Sequence, residues 1–256
     1  MAEKPEFWTE ARLKKGITWL VVGIVVVVAG MAGYWYYLNR PQTGVPTVIQ
    51  RQIDTARADI TKDPKMIEPR IRLGQLLIQA NDFNGAIAEL QAALKLQKDN
   101  DIAIVLIGVA YEEQGKTAAA VKQYKTAIEA SKAQKMNKLD PAVTEAMYRL
   151  ANIEINEKEF SSAATLMQQV SASNSMDSDA HYYLGLAYNG LKKYDDAINE
   201  LVQAVRFVPD YYQANYALGQ AYEGKGDKDS ARKAYEAALK YKSDYQPAKT
   251  ALDKLK

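Results

Sequence analysis

The chain has 256 residues, 48% hydrophobic and 25% charged, with a net charge of +2, the composition of a folded protein of one or two domains. So even a balance offers no strong field to attract nucleic acid or an acidic substrate. With no cysteine and one histidine, disulfides, thiol catalysis, cysteine metal sites and multi-histidine metal sites are excluded.

The first predicted element is a membrane anchor at 17–38. Its 22 residues carry no charge and suffice to cross about 30 Å of hydrocarbon at ~1.5 Å per residue. Trp19 lies at one end and Tyr34, Trp35, Tyr36 and Tyr37 at the other, where aromatic side chains meet the two interfaces. A cleaved signal peptide is the rival reading; its apolar region would be about 7–15 residues long before small residues, and the length and aromatic cluster argue against it. Ala29 and Gly33 form one small-xxx-small pair of the kind that lets membrane helices approach. The tail 1–16 carries Lys4, Arg12, Lys14 and Lys15, against Arg40 and Arg51 beyond the span. That asymmetry predicts a cytoplasmic N-terminal tail with the rest of the chain outside the cytoplasm. A cytoplasmic C-terminal region is the alternative.

Residues 39–46 (NRPQTGVP) form a linker with two prolines and a glycine. The segment 47–66 contains an amphipathic helix with Ile49, Ile53, Ala56 and Ile60 on one face, closed by Asp63-Pro64. It reads as a degenerate half-repeat that caps a repeat array, or as an independent helix beside the membrane.

From residue 67 the chain repeats. In Ser178–Asp210, with Ser178 as position 1, Leu184 and Gly185 are positions 7 and 8, Tyr188 is 11, Ala197 is 20, Leu201 is 24, Ala204 is 27 and Pro209 is 32. Thirty-four residues on, the same positions hold Leu218, Gly219, Tyr222, Ala231, Tyr235 and Ala238. Position 8 falls at 74, 108, 151, 185 and 219, so nine residues are inserted between the second and third units. The units are 67–100, 101–134, 144–177, 178–211 and 212–245, with the insertion at 135–143. The third is degenerate: Glu154 replaces the position-11 aromatic. Small residues at 8 and 20 let two helices approach, larger ones at 7, 11 and 24 fill the seam, and a proline at 32 ends the second helix.

This pattern resembles the tetratricopeptide repeat (TPR) family, W-x2-L-G-x2-Y…A-x3-F…P over 34 residues. It departs from the family at His181, where Trp is frequent, and at Leu201, where an aromatic is frequent. The resemblance implies an all-α, right-handed superhelical TPR solenoid of five repeats (67–245) with capping helices, preceded by one transmembrane helix. Between the paired helices, position 15 is Asn81, Gly115 and Gly226, residues that tolerate the left-handed backbone of a tight turn. Lys158 and Lys192 occupy it in the third and fourth units, where the signal is weaker. The insertion is locally basic, with Lys135 and Lys138, and reads as a lengthened helix and a loop ending at Asp140-Pro141. Residues 246–256 match the solvating helix that closes a repeat array.

The sequence has no phosphate-binding glycine loop, metal spacing or nucleophile motif, so the expectation is a non-enzyme without cofactor. His181, at position 4, packs within the helix pair or meets a ligand. In TPR arrays positions 2, 5, 9, 12 and 13 of the first helix tend to line the concave groove. Here position 5 is Tyr148, Tyr182 and Tyr216 in consecutive units, predicting a tyrosine stripe, with Asn152, Gln220, Asn156 and Asn189 beside it. Rings give contact area at low entropy cost and amides can pair with a peptide backbone, so these seven residues are the candidate protein-binding groove. The rival reading is that the rings pack on adjacent helices. Ile71, Val105 and the three tyrosines stand where the family's carboxylate clamp would need lysine, so an acidic C-terminal tail is not the expected ligand.

The layout resembles membrane-anchored TPR scaffolds that serve as accessory subunits of membrane or envelope complexes. The expected partner is a protein or peptide rather than nucleic acid. The alternative is a structural, self-associating subunit that makes contact through its convex face or membrane helix.

Overall fold

The computed structural model describes residues 47–133 and 139–255. The expected anchor 17–38, the tail 1–16 and nearly all of the linker 39–46 lie outside the described residues, as do Lys135 and Lys138. Among the described residues no helix is long and apolar enough to cross a membrane.

Every regular element described is a helix. α1 (Val48–Lys62) precedes five hairpins, and α12 (Gln246–Lys254) comes after them. The hairpins pair α2 (Glu68–Gln79) with α3 (Phe83–Leu96), α4 (Asp101–Glu113) with α5 (Thr117–Ala133), α6 (Pro141–Asn156) with α7 (Phe160–Ser173), α8 (Ser178–Gly190) with α9 (Tyr194–Phe207), and α10 (Tyr212–Lys225) with α11 (Lys228–Tyr241). Each helix packs on the next, and the first helices of neighbouring hairpins also touch, α2 with α4 through to α8 with α10. The first helices therefore form one continuous wall of the solenoid.

Close approach within each hairpin is set by position 8. A Cβ on Gly74, Gly108, Gly185 or Gly219 would come within 3.0 Å of the position-24 side chain: Leu90, Tyr124, Leu201 and Tyr235 respectively. In the third unit Ala151 faces this seam and Met167, an adaptable side chain, stands at position 24; both are buried. Where position 24 is tyrosine, position 12 is glutamate. Tyr124 donates to Glu112 at 2.6 Å and Tyr235 to Glu223 at 2.7 Å, which satisfies a hydroxyl on an otherwise buried ring.

The turn inside each hairpin is left-handed at position 15 in all five units: Asn81 (φ 61°), Gly115 (71°), Lys158 (66°), Lys192 (59°) and Gly226 (89°). The two lysines adopt the same conformation as the glycines, at a steric cost of about 1–2 kcal/mol each. Caps then start the helices. Asn100, Asp140 and Asp177 accept backbone N–H groups at the starts of α4, α6 and α8, and Asp82 and Asp227 do so for α3 and α11. Each such cap contributes about 1 kcal/mol.

Position 4 latches each of three units to the turn before it. Arg70 donates to the Pro64 carbonyl, His181 Nε2 lies 3.1 Å from the Ser175 carbonyl oxygen, and Asn215 donates to the Pro209 carbonyl, always six residues back. Arg70 and His181 also reach Glu89 and Glu200, both at position 23, at 2.9 and 2.6 Å. His181 thus packs within its own hairpin and ties that hairpin to its predecessor.

The insertion lengthens helices on both sides. α5 has 17 residues where α3, α7, α9 and α11 have 14. α6 starts at Pro141, three residues ahead of position 1 of its unit, on the Asp140 cap. At the ends, α1 buries Ile53 and Ala56 against Leu73, Leu76 and Leu77, and α12 buries Ala248 against the Ala231–Tyr235–Ala238 cluster.

Candidate functional site

Position 5 of the third, fourth and fifth units places Tyr148, Tyr182 and Tyr216 on the successive first helices α6, α8 and α10, each half-buried. They do not stack directly. Ring contacts run from Tyr148 to Tyr183 (5.7 Å between centroids), Tyr183 to Tyr182 (5.2 Å) and Tyr182 to Tyr211 (4.9 Å). Tyr216 joins a second group, 5.5 Å from Tyr235 and 5.4 Å from Tyr245, which meets Tyr212 at 5.0 Å. The expected single stripe is therefore two aromatic clusters, because rings from positions 6 and 34 fill the spaces between first helices.

Carboxylates lie beside the first cluster. Tyr148 donates to Asp177 at 2.5 Å, and Asp177 simultaneously caps α8. Tyr211 lies near the Asp179 carboxylate. Burial pushes the phenols of Tyr148, Tyr182, Tyr183 and Tyr211 upward, and the nearby Asp177 or Asp179 adds to it. Glu145 raises Tyr183 further and Arg149 opposes it. These rings stay neutral throughout the physiological range.

The amides behave differently from one another. Asn189 donates to the Ala217 carbonyl at 3.0 Å, bridging α8 to α10, while its Oδ1 is buried without a partner. Gln220 is exposed and donates to the Tyr216 hydroxyl at 3.3 Å. Asn152 and Asn156 are exposed on α6.

Clefts along the wall sort the candidates. Asn189 and Gln220 share a cleft of about 590 Å³ with Leu186 and Glu223. Tyr216 and Gln220 line the next, of about 490 Å³, closed by Pro247 and Thr250 of α12. Tyr148 opens onto a separate cleft of about 290 Å³ beside Glu145 and Asp177. Tyr182 lies within the ring packing, and Asn152 and Asn156 line none of these three clefts. The structure thus groups Asn189, Tyr216 and Gln220 and holds Tyr148 apart.

Several residues of the wall carry no mark in the repeat pattern. Tyr211 and Tyr245 share position 34, where Asn100 and Asp177 are caps, and a tyrosine at a capping position was the available signal. A larger cleft of about 940 Å³ lies at the other end, between Asp59 and Met66 of the capping segment and Ile71, Gln75 and Ile102. Two of its walls come from outside the 34-residue pattern, so the register gave no sign of it. Among the described residues no group of His, Cys, Asp or Glu is placed to hold a metal.

Matches to a model of the tetratricopeptide repeat cover residues 71–135, 106–167, 148–211 and 191–247, spanning all five hairpins. The chain belongs to the tetratricopeptide repeat family. Among solved structures, this TPR solenoid is similar to YrrB, a TPR protein described as having an unusual peptide-binding site (TM-score 0.64, 19% identity, 78% of this chain and 99% of that one). It is similar to MamA (TM-score 0.58, 27% identity, 70% and 95% covered). It also resembles BtubC (BKLC) from P. vanneervenii (TM-score 0.63, 19% identity, 76% and 88% covered). The likenesses below a quarter identity speak to the fold alone. Comparison with curated proteins gives no match.

Proposed function

We propose that this chain is a TPR scaffold that binds a protein or peptide partner along the wall of its first helices. The observation that carries this reading is the open cleft of Leu186, Asn189, Gln220 and Glu223, which adjoins the Tyr216 cluster through Gln220. Apolar and aromatic surface supplies contact area there, and amides at its edge match the hydrogen-bonding needs of a peptide backbone. The peptide-binding site described for YrrB is consistent with this use of the fold. In this reading the half-buried rings of Tyr148 and Tyr182 form part of the wall, and the exposed Gln220, Asn152 and Asn156 are contacts along it.

In this reading residues 17–38 anchor the scaffold in a membrane, and the excess of Lys and Arg before the span places the repeats outside the cytoplasm. The protein then acts as an accessory subunit of a membrane or envelope complex. Protease digestion of the repeats from outside the cytoplasmic membrane is the expected outcome for a C-terminally tagged chain. Protection until the membrane is dissolved would reverse the orientation.

The groove reading is tested with a photo-crosslinking residue placed at Gln220 or Asn152 on the wall, or at Glu236 on α11. Crosslinks to another protein from the wall positions are expected. Crosslinks from Glu236 alone would overturn the groove, and crosslinks from there to a second copy of this chain would establish self-association instead.

A further inference from the structure

Three successive first helices are acidic. Helices α4, α6 and α8 carry the acids Asp101, Glu112, Glu113, Glu145, Glu154 and Asp179, and Arg149 is their only Lys or Arg. Arg149 is already engaged, with Nε 2.6 Å from Glu145 and Nη1 3.2 Å from Glu112. No cation on these three helices is left to meet a ligand. Yet the whole chain is net positive. Part of the balance sits on two second helices, α5, where Lys122 and Lys125 outnumber Glu129, and α11, where Lys228, Arg232, Lys233 and Lys240 outnumber Asp229 and Glu236, whereas α9 carries Asp195, Asp196 and Glu200 against Arg206.

The acidic stretch coincides with the first tyrosine cluster. Tyr183 lies between Tyr148 and Tyr182, and its hydroxyl feels both Asp179 and Glu145. Glu113, Glu145 and Asp179 are exposed, so their charge reaches solvent. Aromatic faces rimmed by carboxylates attract guanidinium and ammonium groups twice over, through the ring quadrupole and through the charge. The same wall repels an acidic segment, since a like-charge contact costs binding.

We propose that the wall of α4, α6 and α8 takes a basic peptide segment, its Arg or Lys side chains laid on Tyr148, Tyr182 and Tyr183 and paired with Glu145 and Asp179. This rests on the groove reading and adds the chemistry of the partner.

The test uses the full chain in detergent micelles and three labelled probes: alternating Ala-Arg, Ala-Gln and Ala-Glu peptides, with binding read by fluorescence anisotropy. The Ala-Arg peptide is expected to bind and the Ala-Glu peptide not to. Combining Glu113→Gln, Glu145→Gln and Asp179→Asn should weaken the Ala-Arg peptide by about tenfold or more, with a matching loss of its salt dependence. Tyr183→Leu, which keeps most of the packing volume, should weaken it as well. Asp229→Asn with Glu236→Gln, on α11, should leave it unchanged. Circular dichroism checks that each variant keeps its helices. Equal Ala-Arg binding by the triple variant, or an equal loss in the α11 variant, overturns the proposal. If the Ala-Gln or Ala-Glu peptide binds instead, and Gln220→Arg abolishes it, the charge inference falls while the groove reading stands. If no probe responds to any wall substitution, both fall.

Discussion

In the first two units the inner wall is aliphatic, with Ile71, Ile102, Val105, Leu106 and Val109 on α2 and α4. In the last two it is aromatic, with Tyr182, Tyr183 and Tyr216 joined by Tyr211, Tyr212 and Tyr245. Position 34 changes with it: Asn100 caps α4 by accepting from Ala103 N–H, whereas Tyr211 and Tyr245 make no side-chain cap and pack their rings instead. The third unit is the join, with Ala151 at position 8, buried Glu154 at position 11 and a helix extended by the insertion. The hairpin therefore asks only for small residues at 8 and 20 and a filling residue at 24. The wall is free to vary, and its variation gives the two halves different surfaces, one aliphatic and one aromatic.

The shared seam is the feature most expensive to disturb. Ala197→Glu would place an unpaired carboxylate where Ala197 is 0% exposed, at about 3–5 kcal/mol. A near-normal unfolding midpoint in urea would show that the two halves do not share this seam. Next in size, Gly219→Ala should cost about 2–3 kcal/mol and Gly74→Ala nearer 1, both measured by denaturation. The reason is that the Tyr235 ring is pinned by its hydrogen bond to Glu223, while the equally buried Leu90 is a smaller aliphatic side chain with no such bond. Equal costs would mean that the aromatic half is no stiffer than the aliphatic one.

The latch comes third. His181→Ala removes two contacts, to Glu200 and to the Ser175 carbonyl, and should cost about 2 kcal/mol. Hydrogen exchange should place the loss at the junction of the third and fourth units; a loss spread evenly over the array would remove the latch.

The join is tested through pH. Burial raises the Glu154 carboxyl above its ordinary 4.5, with Ser162 and Lys125 opposing, and its Oε2 is buried without a partner. Above both the folded and unfolded values the native state carries the full penalty of a buried carboxylate. As pH falls through the raised folded value the native carboxyl takes its proton first, and the penalty fades. Stability should thus rise on mild acidification, and Glu154→Gln should flatten that rise while adding roughly 1 kcal/mol at neutral pH. An unchanged pH profile in Glu154→Gln would assign the slope to other groups. The smallest effect is in the turns. Lys158→Gly and Lys192→Gly should each stabilise by about 1 kcal/mol or less, by removing the left-handed strain at φ 66° and 59°. Unchanged urea midpoints in both would mean that the turns are not strained.

The register was legible because it rests on volume and backbone conformation, which single residues report. Gly185 and Ala197 can only be small, and Gly115 and Gly226 mark turns. Lys158 and Lys192 were harder, since a turn imposed by packed helices on both sides overrides the preference of the residue within it. The candidate groove was half legible. Asn189, Tyr216 and Gln220 do line adjoining clefts, but the path of the rings depended on Tyr183, which meets Tyr148 of the preceding unit, and on Tyr211 and Tyr245, which fold back from position 34 onto the first helix of their own units. The latch was hidden for the same reason. Arg70, His181 and Asn215 are chemically unlike, and only their common acceptor six residues back unites them.

By itself the sequence determined the hairpin, its period of 34 residues, the break at the insertion and the apolar span at 17–38, since each is a local demand on size, hydrophobicity or backbone freedom. Tertiary structure alone decided which tyrosines meet, that Asn189 bridges two hairpins, and that the acids of α4, α6 and α8 share one wall. Those outcomes depend on the rotation between successive units, and that rotation is set by the packing of whole helices.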